Sequence, residues 1–135
     1  MRGIVAVDPK RRRIMQAVGS SDTKPEAAVR SVLRALGMHY RLHVRSLPGR
    51  PDIVIGRLRT VILVHGCFWH GHHCRRGRRP KTNVAFWTAK AAENRRRDAR
   101  VVEALSTAGL RCIIVWQCEL DEVDRLRARL KAFLP

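Results

Sequence analysis

The run Thr60-Val61-Ile62-Leu63-Val64 constrains this chain more than any other stretch of its length. Side chains alternate between the two faces of a strand, so a strand without a polar face needs apolar cover on both sides. The run is therefore expected at the centre of a sheet with further layers above and below it. Arg111–Trp116 (RCIIVW) has the same character and predicts a second buried strand. Asp52-Ile53-Val54-Ile55 precedes the central run across Gly56-Arg57-Leu58-Arg59, which is the pattern of a hairpin. With the loop centred near residue 58, Asp52 would stand opposite Val64. His39–Val44 is short enough for a further strand, and Pro48-Gly49-Arg50-Pro51 reads as a rigid turn.

Helices fill the remaining length. Thr23-Lys24-Pro25-Glu26 reads as a helix start, with Thr23 as N-cap, Pro25 in the first turn and Glu26 at the third position of a capping box. Ala28, Val29, Val32, Leu33 and Leu36 follow at helical spacing, and Gly37 suits a left-handed cap. Residues 83 to 108 predict a helix that is polar in its middle and closed by Gly109, and residues 121 to 134 a final amphipathic helix. The order α-β-β-β-α-β-α gives an α/β fold, a mixed sheet flanked by helices. A chain of 135 residues fits a single domain, placed here at residues 23–135. Residues 1–22 read as a basic arm, with a short helix over Arg12–Val18.

Charge narrows the function. The chain holds 28 Lys and Arg against 11 Asp and Glu, a formal net charge of +17. The basic residues cluster at Lys10–Arg13, at Arg75 to Lys81 and at Arg95–Arg97. An arginine-rich solvated face is the plain explanation, but such a charge opposes compaction and favours a polyanionic partner through counterion release. Nucleic acid is the expected partner. No apolar run approaches the roughly 20 residues that span a bilayer, and the opening MRGIVAVDPKRRR lacks a signal-peptide core. The chain reads as cytoplasmic, where thiols stay reduced, so Cys67, Cys74, Cys112 and Cys118 are metal ligands or core residues rather than disulfides.

HGCFWHGHHC, residues 65–74, is the densest chemical stretch. Cys67 and Cys74 bracket His70, His72 and His73, so one loop offers three zinc ligands: the two cysteines and one of these histidines. Spacing does not choose among the three. The fourth ligand must come from elsewhere, and Cys118, just past the RCIIVW strand, is the natural candidate; Cys112 lies among apolar residues and reads as core. His65 leaves the central strand beside Asp52, and His70 follows five residues later. A carboxylate with a strand carbonyl suits Mg²⁺, and histidine near its ordinary pKa suits general acid–base work on a phosphodiester. Phe68, Trp69 and Trp87 either anchor the core or wedge between base pairs.

SLPGRPDIVI, VILVHGCFWHGHHC, the Phe86-Trp87 pair, NRRRD at 94–98 and IIVWQCEL together resemble the Vsr family, the very-short-patch mismatch repair endonucleases. The resemblance covers residues 12 to 120. It implies a fold similar to that of restriction endonucleases, with a structural zinc, and nicking of double-stranded DNA 5′ of the thymine in T:G mismatches left by 5-methylcytosine deamination. It implies that Asp52 and the carbonyl of Val64 hold Mg²⁺, that His65 and His70 are catalytic, and that Glu26 and Asp98 belong to the same site and orient the histidines. His70 is the implied general base. Cys67, His72, Cys74 and Cys118 match the zinc ligands. Phe68, Trp69 and Trp87 match aromatics entering the DNA stack, and Met15 matches an apolar wedge from the other groove. A bacterial, cytoplasmic, DNA-associated monomer working beside mismatch-repair proteins is further implied.

Val64 stands where family members carry Thr, and Gln117 where Glu is common. The acid-x-Lys half of restriction-type sites is absent, histidine taking the lysine's place. Glu26 keeps two readings, cap and catalytic group. Two other functions compete: an endonuclease of other sequence or lesion specificity, and a non-catalytic zinc-stapled DNA-binding module. The second needs neither Asp52 nor the two histidines, whose joint presence separates it from an enzyme.

Overall fold

A computed structural model of the chain describes residues 23–78 and 80–134. The expected Arg12–Val18 helix and Met15 lie outside them. Thr23 caps the first helix, α1 (Lys24–Ala35): its Oγ1 accepts the Glu26 N–H at 3.4 Å, one half of the expected capping box. Leu36 closes the helix, and Gly37 takes the left-handed conformation (φ 73°) that stops it.

The sheet has four strands in the order β1 (Arg41–Leu42), β2 (Ile53–Ile55), β3 (Thr60–His65), β4 (Arg111–Trp116). β1–β2 and β2–β3 are antiparallel, and β3–β4 is parallel. β3 thus lies inside the sheet, where its two apolar faces require it to be. A parallel return needs a crossover, and α2 (Val84–Thr107) supplies it. A 3-10 segment, Gln117–Glu122, then leads into α3 (Val123–Phe133).

Two apolar layers sandwich the sheet. Val29, Val32 and Leu33 of α1 and Leu126 and Leu130 of α3 meet Ile53, Ile55, Ile62, Ile113 and Val115 on one face. On the other face, Leu105 packs with Val54, Val61 and Leu63, joined by Val101 and Val102 of α2. Each such side chain contributes about 1.5–3 kcal/mol by leaving water. The odd-numbered residues of β3 therefore face α2, and His65 continues that row past Val61 and Leu63. This parity directs His65 towards the helix that carries Asp98.

Two boundaries and one register differ from expectation. The first strand covers Arg41–Leu42 instead of His39–Val44, because His43 turns left-handed (φ 47°) and ends the extended run. The hairpin register pairs Ile53 with Ile62 and Ile55 with Thr60, so its continuation sets Asp52 opposite Leu63, one residue from the expected Val64. The last α-helix begins at Val123 rather than Asp121. The Glu119 carboxylate accepts the Trp116 N–H at 2.8 Å and holds the preceding residues in the 3-10 turn.

Candidate active site and metal centre

Asp52 stands at the mouth of β2, its Oδ2 accepting the Val64 N–H at 2.9 Å. This bond ties the carboxylate to the end of the central strand, one residue before His65. Burial pushes the Asp52 carboxyl up to about 6; the Val64 N–H pulls it down, and the Glu26 carboxylate nearby pushes it up further. Glu26 is itself buried, 5% exposed. Its Oε1 lies 2.9 Å from His43 Nε2 and 3.7 Å from Arg30 Nη1. One ligand atom each from Glu26, His43 and Asp52 falls within 4.8 Å of the others. Two desolvated carboxylates beside each other repel, and a divalent cation between them relieves both burial and repulsion. The donors are of the hard oxygen type, with one imidazole, and fit such an ion.

His65 and His70 form a second group. Their rings stack at 3.9 Å between centroids, only 4° from parallel. The loop returns on itself to allow this, the His70 N–H donating to the Gly66 carbonyl at 3.2 Å. Asp98, from the middle of α2, places Oδ2 2.5 Å from His70 Nδ1 and 3.8 Å from His65 Nδ1. A carboxylate only accepts, so His70 Nδ1 carries the proton and its Nε2 is the side left for chemistry. His65 is 7% exposed. Burial first, and then the neighbouring His70, push it down to about 4, against the pull of Asp98. It is neutral at neutral pH, and the stack therefore holds at most one cation.

The third group is the Cys67, His72, Cys74 and Cys118 set, whose ligand atoms also lie within 4.8 Å of one another. Cys67 is fully buried two residues past the end of β3, and burial pushes its thiol up to about 12. Cys74 moves the other way: burial raises it, but hydrogen bonds from His72, Cys67 and the Gly77 and Arg76 backbone bring it down to about 6. The Cys118 N–H donates to Cys67 Sγ at 3.3 Å, and His72 Nδ1 lies 3.7 Å from Cys118 Sγ. The His72 ring stacks on Trp116 at 4.1 Å. Three soft sulfurs and one imidazole are a tetrahedral zinc donor set, and a cation offsets the repulsion among three thiolates brought this close.

Beyond this set, Phe68, Trp69 and Trp87 gather at centroid distances of 5.4, 5.1 and 5.7 Å, each half-exposed. The Asn94 side chain, buried on α2, donates to the Trp69 carbonyl at 2.5 Å, and Arg95 Nη1 donates to the Gly71 carbonyl at 3.1 Å. The helix thus grips the loop between the two cysteines from one side.

The model of the DNA mismatch endonuclease Vsr family matches residues 5–76. The type II nicking enzyme V.XorIIP of Xanthomonas oryzae is 50% identical over 129 residues, 95% of either chain. The DNA mismatch endonuclease Vsr of Escherichia coli K12 is 41% identical over 116 residues, covering 86% of this chain and 74% of its own. The chain belongs to the Vsr family. The type II nicking enzyme V.NmeAIP of Neisseria meningitidis, 41% identical, matches 90% of this chain and 86% of its own.

In this Vsr-family chain the fold gathers the titratable residues singled out in the sequence into three groups and sets the aromatic cluster beside them, with Met15 outside the described residues. Of the three candidate histidines, His72 joins the cysteines, His70 joins Asp98, and His73 only tilts against His72 at 5.0 Å. Cys112 stays apart, packed against the α2-side core as expected. Asp98 faces both stacked histidines while Glu26 stands with His43 and Asp52, so the two acids do not divide one to each of His65 and His70. Three participants were missed. His43 lies in no motif, and Asn94 and Trp116 stand in the NRRRD and IIVWQCEL runs without any role read from them; the fold gives each a partner. Asn94 did carry a signal: an amide in the polar middle of a long helix, facing a loop rather than water.

Proposed function

We propose that this chain is a Mg²⁺-dependent, strand-specific endonuclease that nicks double-stranded DNA 5′ of the thymine in a T:G mismatch. The observation that carries the reading is the Asp52 carboxylate bonded to Val64 N–H, immediately before the His65–His70 stack backed by Asp98. Asp52, Glu26 and the carbonyl of Val64 would hold the Mg²⁺, which supplies Lewis-acid polarisation of the scissile phosphate when bound. His70 Nε2 takes the proton of the attacking water. Asp98 fixes the tautomer that leaves Nε2 open and stabilises the imidazolium that forms. His65, neutral and stacked, confines the His70 ring to one plane.

Cys67, His72, Cys74 and Cys118 would hold a structural zinc that fixes both ends of the aromatic loop. Phe68, Trp69 and Trp87, with Met15 from the arm at residues 1–22, enter the base stack at the mismatch. The sheet with helices on both faces serves as a restriction-endonuclease-like core, residues 23–135 acting as one domain and as a monomer on duplex DNA. Bacterial relatives bearing nicking-enzyme and mismatch-endonuclease names support this assignment and a place in the bacterial cytoplasm. Among the described residues no helix is long and apolar enough to cross a membrane.

The Asp52→Ala variant tests the reading. Nicking of a T:G duplex is expected to fall by at least about 100-fold, with zinc content and mismatch binding retained. Undiminished cleavage would remove Asp52 from the site.

A further inference from the structure

His43 takes a left-handed backbone conformation, φ 47°, which few non-glycine residues adopt, though histidine does so more readily than most. That conformation ties it to the main chain of one acid of the cation group and to the carboxylate of the other. Its backbone N–H donates to the Asp52 carbonyl at 3.0 Å, and its Nε2 lies 2.9 Å from Glu26 Oε1. Adjacent ligands of an octahedral ion with bonds of about 2.1 Å stand about 3 Å apart. The ring-to-carboxylate separation of 2.9 Å matches that edge. The side chain is 29% exposed while Glu26 beneath it is 6% exposed, so the ring borders the open side of the group.

We propose that His43 is a nitrogen ligand of the catalytic cation and tilts the site's affinity from Mg²⁺ towards first-row transition ions such as Mn²⁺. The inference rests on the reading that Asp52 and Glu26 hold that cation. Mg²⁺ gains little from an imidazole in place of oxygen, whereas transition ions accept nitrogen readily. Two carboxylates with one imidazole therefore form a donor set that distinguishes the two classes of ion. A site of carboxylates, carbonyl and water alone would not.

The test uses the full, zinc-loaded chain without DNA. Mn²⁺ binding is followed by electron paramagnetic resonance, Mg²⁺ binding by competition, and electron spin-echo modulation reads coupling of bound Mn²⁺ to an imidazole nitrogen. His43→Asn tolerates the left-handed backbone but is too short to reach the ion. His43→Gln keeps length and hydrogen bonding without the ring, and circular dichroism with zinc content reports folding of both. Nitrogen coupling is expected in the wild type and in neither variant, with Mn²⁺ affinity lower by roughly 10- to 100-fold and Mg²⁺ affinity changed by less. Coupling that persists in both variants would overturn the proposal, as would equal losses for the two ions, which would reduce His43 to a prop for Glu26. Asp52→Ala separates the levels: Mn²⁺ affinity unaffected by it would refute the underlying cation site, whatever the His43 variants do.

Discussion

His70 shows how much one residue's task depends on its neighbours. Its ring is held edge-on by Asp98 and face-on by His65, so neither tautomer nor plane is free. Replacing Asp98 with Asn keeps the shape but removes the charge and offers an amide donor to Nδ1, which favours the wrong tautomer. Single-turnover nicking by Asp98→Asn is expected to slow by roughly 10²–10⁴-fold, with duplex affinity unchanged; an unaltered rate would free His70 from its partner. At this scale the sequence was legible where one motif kept its residues close, as with Cys67 and Cys74. It was not legible where a choice depended on loop path. His70, His72 and His73 are equivalent by spacing, and only the turn from Gly66 to Gly71 sends the first to Asp98 and the second to the cysteines. His43 was invisible because a backbone twist, not a pattern, aims its ring at a glutamate 17 residues away.

Among the elements, the loop from Cys67 to Cys74 and helix α2 act as one unit. Cys118 closes the metal group from the turn after β4, so the ion would join the loop to the far end of the sheet. Cys118→Ala should lower bound zinc below one per chain and cost more than about 2 kcal/mol of stability. Chelator-treated wild type should melt at a similarly reduced temperature. A variant that stays zinc-replete and fully stable would place the fourth ligand elsewhere. The elements themselves were largely readable. β3 and β4 declared themselves by apolar runs with no polar face, and α1 by its Thr23 cap and Gly37 stop. Edges were less so. The three-residue 3-10 turn at Gly56–Leu58 shifted the hairpin centre by half a residue, and Glu119 reserved the residues before α3 for a tight turn that sets Cys118 against Cys67.

At the scale of the whole molecule, charge governs encounter with substrate. A net charge of +17 on 135 residues makes affinity for duplex DNA depend on counterion release. Binding to a matched duplex should weaken by roughly 10³-fold or more between 50 and 200 mM salt, if about six or more phosphates are engaged. Fluorescence anisotropy across that range checks this, and a flat salt response would place the basic runs outside the interface. Charge gives attraction without specificity, however, and base choice must come from the aromatic cluster and the site behind it. Mismatch-specific, Mg²⁺-dependent nicking is checked by one assay on matched and T:G duplexes in several flanking contexts, with Mg²⁺ and with EDTA. A single cut, 5′ of the mismatched thymine, is expected only with Mg²⁺ and only on the T:G duplexes. Equal cutting of matched DNA, or cutting that survives EDTA, would contradict it.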